Sequence, residues 1–319
     1  MRNRSSTAAT YYVLTMNEVL FYSNVMGVPP YLFTKPLLLS LTILCTNSFN
    51  RGYHLAHLDN DEHIDNGVSI EPALPIDLQH IPYSYEKPSK AKLVSRADEF
   101  YRIVAARRSL RYFSPDPVPK EVLHNIIKAA GIYRFRCSIL KSFLSSKLKH
   151  LTGSSPSGAH TEPWTFVVIT NTDLKRKIRE SVELEEEVNY KRRMGIKWTT
   201  DLLPLRTNWI KEYLTVAPHL ILVFKQTYST LPNGERKIHY YTDISVSIAC
   251  GILITAIQYA GLVTLTSTPL NCGPAIRQLL GRPSNEKLVL LLPVGYPAQD
   301  ATVPALQRKQ LSDILVEYD

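Results

Sequence analysis

Residues 156–170 read PSGAHTEPWTFVVIT. The second half, WTFVVIT, is a short apolar run rich in β-branched residues, which suits a strand buried on both faces better than a helix. The first half is a tight loop of small residues entering that strand, and its backbone amides can approach a flat ring or an oxyanion closely. A plain loop is the competing account. His160 followed by Glu162 suggests acid/base work, although a single histidine at a strand entrance more often serves structure.

Downstream, LILVF at 220–224 repeats the buried-strand signature, and 262–266 and 288–294 complete the strand set. Helical periods fill the intervals. Thr172 and Asp173 can cap a helix running toward Gly195, Thr200 or Asp201 one through Leu214, and Asp243 an apolar helix closing at Gly261. Upstream, 97–108 places Phe100, Ile103 and Val104 on one helical face, and Asp116 with Pro117 and Pro119 announces a helix through Ala130. Helices alternating with well-separated strands predict an α+β layered domain rather than a strict βαβ repeat.

The folded part is expected to begin near Arg96. Residues 52–92 are rich in proline, histidine and acidic groups without any sustained period, and read as a linker or arm. The apolar stretch 28–45 contains Lys35 and three prolines, and its uninterrupted part, 37–45, is too short to cross a bilayer. It is also a poor signal peptide, because it begins late and no small-residue cleavage site follows. The formal charge is +9, and five of the basic residues, Arg134, Arg136, Lys141, Lys147 and Lys149, lie in 132–153, which has no acidic residue. The excess is therefore local, and no basic stripe with interleaved aromatics points to nucleic acid. Cys45, Cys137, Cys250 and Cys272 form no CxxC pair and read as reduced thiols.

The chain has no GxGxxG after a strand, no GxxxxGK[ST], no GxSxG and no HExxH, which argues against Rossmann, P-loop, serine hydrolase and zinc protease chemistry. Arg107, Arg108, Ser109, Leu110 and Arg111 put three guanidinium groups and a hydroxyl within five residues, enough to clamp a phosphate. The bland alternative is that they complement a helix C-terminus. In the acidic run 183–187, Glu186 stands four residues before Tyr190, so on a helix the two share a face. A carboxylate and a phenol there, with Lys211 from the next predicted helix, can grip an amino-acid zwitterion; most of the run is otherwise a solvated face. TLTSTPLNC at 264–272 ends a strand in hydroxyls that can reach a ring nitrogen, or is an ordinary strand-to-helix turn capped by Asn271. Arg308 with Lys309 reads alone as a surface pair. His54, His57 and His63 have HxxH spacing but no scaffold, so no metal site is assigned.

Together, RRSLR at 107–111, PSGAHTEPW at 156–164, EEEVNYKRRMG at 185–195, LRTNWIKEYL at 205–214, HYYTDISVSIACGI at 239–252 and TSTPLNCGP at 266–274 closely resemble the iodotyrosine deiodinase branch of the nitroreductase superfamily, from about residue 96 onward. The resemblance implies a nitroreductase-like mixed β-sheet flanked by helices, in an intertwined homodimer whose flavin sites use both chains. It assigns FMN to Arg107, Arg108, Ser109, Leu110, Arg111, Ser157, Thr266, Ser267, Thr268 and Arg308. Thr268 would reach flavin N5, and Arg308 the phosphate. The backbone of Ala159 would meet a substrate phenolate, with Glu186, Tyr190 and Lys211 closing over the zwitterion of a halotyrosine. The reaction implied is reductive removal of halide, with electrons ultimately from NADPH through a reductase.

Two departures accompany it. The family passes from the helix ending near Gly131 almost directly into PSGAH, whereas here the 22 residues 132–153 intervene. Residues 1–95 match the family poorly where it would carry a membrane anchor, so the location is the membrane if that arm anchors and the cytoplasm if it does not. A general NAD(P)H nitroreductase or flavin reductase, and a flavoprotein impaired by the insertion, remain the alternatives.

Overall fold

The computed structural model describes residues 67–131, 154–268 and 270–318. The early apolar run, His54, His57, His63, Cys45, Cys137 and the insertion 132–153 lie outside the described residues. The elements are α1 (Lys90–Ala105), α2 (Lys120–Ala130), β1 (Trp164–Ile169), α3 (Thr172–Val188), α4 (Ile196–Leu202), α5 (Tyr213–Val216), β2 (His219–Gln226), β3 (Tyr228–Thr230), β4 (Arg236–Ile238), α6 (Thr242–Tyr259), β5 (Val263–Thr264), α7 (Gly273–Leu279) and β6 (Glu286–Gly295).

Four strands form one sheet in the order β1-β2-β6-β5, each pair antiparallel. The parallel component is a single bridge, Ser109 to Thr264, on the outer edge of β5. β2 is buried on both faces, which is why its sequence is continuously apolar instead of alternating. Ile221 and Val223 face a cluster built on α2 and α6 with Leu123, Ile127, Val246 and Leu253. Leu220, Leu222 and Phe224 face the opposite cluster, with Ile178 and Val182 of α3, Leu214 of α5 and Ile276 of α7. The α+β layering follows from that two-sided burial.

α6 is long and apolar enough to cross a membrane by composition alone. Val246, Ala249, Leu253 and Ile257 nevertheless lie in the core, so it is the central helix of the domain. Its other face leaves Ile244 61% and Tyr259 71% exposed. α1 buries no residue at all, and Leu93, Phe100 and Tyr101 stand in the open.

Several local expectations are corrected. α1 starts at Lys90, capped by the Ser89 side chain, and stops at Ala105. The helix expected to run toward Gly195 is α-helical only to Val188, after which Asn189–Arg193 form a π-helical turn. No helix spans 200–214: α4 ends at Leu202, a 3₁₀ turn holds Pro204, and Arg206 adopts a left-handed backbone, φ 49°. Pro204 donates no backbone hydrogen bond and the left-handed residue reverses the chain, so the apolar period there cannot propagate a helix. The β3–β4 hairpin, carried by polar strands, had no apolar signal. Cys250 and Cys272 are buried free thiols, pushed up by burial to about 11 and about 12, which makes them poor nucleophiles.

Candidate active site

The arginine segment is not a helix cap. Beyond α1 the chain extends along β5, where the Leu110 N–H donates to the Thr264 carbonyl and the Leu110 side chain is buried. This alternation leaves Ser109 and Arg111 lining a cavity of about 400 Å³ with Tyr112, Arg206 and Thr302. Arg111, Tyr112 and Arg206 also line a second cavity of about 280 Å³, shared with Asn208 and Tyr213. The C-terminal segment closes over the arginines from outside: Arg308 donates to the Arg107 carbonyl at 3.0 Å, and Arg108 to the Pro304 carbonyl. Two guanidinium groups, Arg111 and Arg206, line the opening, and Arg108 and Arg308 brace its rim through backbone carbonyls, a basic setting that suits a phosphate dianion; the volume lies in the range of cofactor sites.

Glu186, Tyr190 and Lys211, which sequence could not bring together, meet here. Lys211 Nζ lies 3.5 Å from Glu186 Oε2 and 5.4 Å from the Tyr190 ring centroid. Lys211 stands in the irregular stretch before α5, not on a helix, and is held from three directions. Its N–H donates to Glu183 Oε1, its ammonium to the Asn208 carbonyl, and Arg179 pairs with the same Glu183 at 2.7 Å. Burial lowers the Lys211 pKa below the ordinary lysine value, while the adjacent Glu186 acts to keep it charged. Burial raises the Tyr190 phenol, partly offset by a hydrogen bond from Thr207, so it stays a neutral donor. Arg111 shares the smaller cavity with Asn208, whose carbonyl accepts from the Lys211 ammonium, so the arginine segment adjoins the trio.

Thr266 and Thr268 are exposed, whereas Ser267 is half-buried between them, bridged to Leu291 and facing the Tyr213 phenol. The two threonines are thus the hydroxyls on the open side.

Ser157 and Ala159 stand in the loop that enters β1. Ser109, Thr264, Val294, His219 and Thr170 form a row across one end of the sheet. The PSGAH loop enters β1 at the other end, where Trp164 pairs with Lys225. At that end Ser157 Oγ accepts from the Glu162 N–H, and Gly158 packs so closely on the Tyr240 backbone that a Cβ would come within 2.9 Å of its carbonyl. Ala159, His160 and Glu162 adopt φ of 47°, 52° and 47°, and Glu162 Oε1 is buried without a hydrogen-bond partner among the described residues.

Sequence reasoning missed Glu183, Asn189, Asn208, Tyr213 and Asn271. Glu183 had one legible sign, its four-residue spacing from Arg179. The others become partners only through the tertiary fold. Among the described residues no group of three metal-ligating side chains occurs.

The nitroreductase family model matches residues 104–296. The iodotyrosine deiodinase of Danio rerio is 57% identical over 258 residues, 81% of this chain and 79% of that one. Human iodotyrosine deiodinase 1 is 51% identical over 263 residues, 82% of this chain and 81% of its own length. Among solved structures, an oxidised iodotyrosine deiodinase bound to FMN and 3-iodo-L-tyrosine superposes with a TM-score of 0.54 at 27% identity, covering 69% of this chain and 98% of that one. With the arginine-lined cavity and the buried Glu, Tyr and Lys cluster already in place, these likenesses settle the matter of descent: the chain belongs to the nitroreductase family and, within it, to the iodotyrosine deiodinases.

Proposed function

We propose that this chain is an FMN-dependent reductive dehalogenase that converts mono- and diiodotyrosine, and other halotyrosines, to tyrosine and halide. The observation that carries this reading is the buried Glu186, Tyr190 and Lys211 cluster beside the arginine-lined cavity. Arg107, Arg108, Arg111 and Arg308 would hold the flavin phosphate, and the exposed Thr266 and Thr268 hydroxyls would serve its ring, Thr268 as the donor to the flavin. Bound FMN supplies the two electrons that, with one proton, replace the carbon–halogen bond by carbon–hydrogen and release halide. Everything else falls to the protein: Glu186 takes the substrate ammonium, Lys211 and Tyr190 the carboxylate, and the enclosure excludes water from the ring. The electrons come ultimately from NADPH through a separate reductase.

The site is completed by a second copy of the chain. The partner's Ala159 would meet the phenolate of the halotyrosine held by Glu186, Tyr190 and Lys211. The exposed apolar faces of α1 and α6 supply the contact surface that an intertwined homodimer buries. The catalytic unit is residues 96–319.

Titrating the FMN-loaded protein with monoiodotyrosine while following flavin fluorescence, then adding dithionite and measuring iodide, tests the reading. Saturable quenching and stoichiometric iodide are expected; nitroaromatic reduction with no response to iodotyrosine would assign the chain to general nitroreductases.

A further inference from the structure

Asn189 is only 1% exposed, and all three of its side-chain contacts point to functional segments. Its Nδ2 donates to Glu186 Oε1 at 3.1 Å. Its Oδ1 accepts from Asn271 Nδ2 at 3.1 Å and from Arg193 at 3.0 Å. The partners fix which end of the amide is which, because a carboxylate only accepts and a guanidinium only donates. Asn189 also opens the π-helical turn, accepting from the Met194 N–H at 2.7 Å, so the wide turn that carries Tyr190 begins at this residue. Asn271, at φ 68°, lies three residues beyond Thr268 in the loop that lines the flavin side of the site.

We propose that Asn189 is a positioning residue that ties the substrate-gripping carboxylate of Glu186 to the flavin-side loop 266–271, so that halotyrosine binding and the placement of the Thr266 and Thr268 hydroxyls are energetically coupled. The inference rests on the reading of Glu186 as an ammonium ligand and extends it. A glutamate on a helix end is mobile; one oxygen held by Lys211 and the other by Asn189 is fixed in rotamer before substrate arrives. Because the same amide holds Asn271, a shift of the carboxylate toward an ammonium pulls on the loop that carries the ring-facing hydroxyls. An amide donates from one atom and accepts two hydrogen bonds at another, so it spans partners that a serine or threonine hydroxyl, with donor and acceptor on one oxygen, would not bridge, and glutamine is one methylene too long for a fully buried site.

The test uses the FMN-loaded full chain and three variants. Asn271→Gly removes the amide yet keeps the left-handed backbone, which glycine adopts freely. Asn189→Ala removes the donor toward Glu186 and the acceptor toward Asn271 together. The double variant Asn189→Ala with Asn271→Gly closes a cycle. Asn271→Gly, which touches neither Glu186 nor the substrate, is expected to raise the monoiodotyrosine Kd roughly fivefold to tenfold, the effect of one buried hydrogen bond. KM should rise with kcat nearly unchanged, and the double variant should lose less than the product of the separate losses. The flavin midpoint potential should respond less to iodotyrosine in Asn271→Gly than in the parent. Unchanged Kd and KM in Asn271→Gly, or strictly multiplicative losses, would overturn the coupling. Hydrogen exchange over 184–193 makes the test independent of substrate: Asn271→Gly should accelerate it by a similar factor, and identical exchange overturns the proposal even if halotyrosine binding is never seen. A parent protein that ignores iodotyrosine but shows the exchange effect would instead sink the functional reading and leave the tie intact.

Discussion

Glu186, Lys211 and Asn189 are already bonded within their own chain, whereas where PSGAH enters β1 three residues are left-handed and a carboxylate oxygen is without a partner among the described residues. The first region is pre-organised, and the second is strained and incomplete. Left-handed non-glycine residues persist where surrounding structure over-determines them, and they concentrate at functional loops. The difference teaches that pre-organisation is uneven along the chain: on the reading proposed above, the bonded cluster is an anchor for phosphate and zwitterion, and the strained loop finishes the site of a partner.

Breaking the anchor should have the largest effect. Glu186→Gln removes one member of a buried, hydrogen-bonded charge pair, a loss of about 2–5 kcal/mol, or roughly thirtyfold to a few thousandfold in iodotyrosine affinity. Fluorescence titration measures it, and nitroaromatic reduction by the same variant should be unchanged. Equal loss of both activities would mean that the cluster supports the fold and not the substrate.

Mixing the two halves sharpens the comparison further. Arg111→Glu disables the anchor, and Gly158→Val drives a side chain into the Tyr240 backbone and disables the loop. Each variant alone should be inactive. Co-expressed, they should recover about a quarter of wild-type iodide release, because half of randomly paired dimers hold one intact site out of two. Complementation that fails while mixed dimers are demonstrably present would show that each site belongs to one chain.

A smaller effect is expected from the insertion that enters the loop end. The Ser154 and Ser155 hydroxyls bond the Ala129 and Ala130 carbonyls, so the fold brings the two flanks of 132–153 together. Closure entropy varies only logarithmically with loop length, so joining Gly131 to Ser154 should change stability by on the order of 1 kcal/mol and shift Tm by a few degrees. Flavin uptake should survive. A colourless deletion variant would make the segment part of the loop's architecture.

The smallest predicted effect is on pH dependence. His219, in the row across the anchor end, is held between Thr170 and the Val118 carbonyl, and burial lowers its pKa. The unfolded chain then binds the proton more readily than the folded one, so the neutral imidazole contributes stability that is fully present above about pH 6.5 and declines as pH falls toward the lowered folded value. His239, also lowered by burial, acts in the same direction. Urea unfolding between pH 5 and 8 measures the slope, and His219→Gln should flatten it; a slope of opposite sign would exclude this assignment.

Much of this was legible in order along the chain. The buried strand at 219–226 announced itself because double-sided burial demands continuous apolar, β-branched sequence, and the α6 helix did so through its largely apolar run, whereas 164–169, equally apolar, is an edge strand half-exposed over its middle four residues. The stretch before Lys211 misled because its apolar period is helical while Pro204 and a left-handed Arg206 forbid the helix. Asn189 was invisible for a different reason. Nothing about an asparagine in a charged helix shows that it is buried, and its partner Asn271 lies 82 residues away.

The sequence alone determined which chemistry was on offer: a guanidinium cluster, a ring-facing hydroxyl run, and a carboxylate four residues before a phenol, because those are properties of residue type and local period. Only the tertiary structure decided that Lys211 reaches Glu186 and that Asn189 reaches Asn271, because such contacts depend on how helices and loops pack across the sheet, which places groups far apart in sequence side by side.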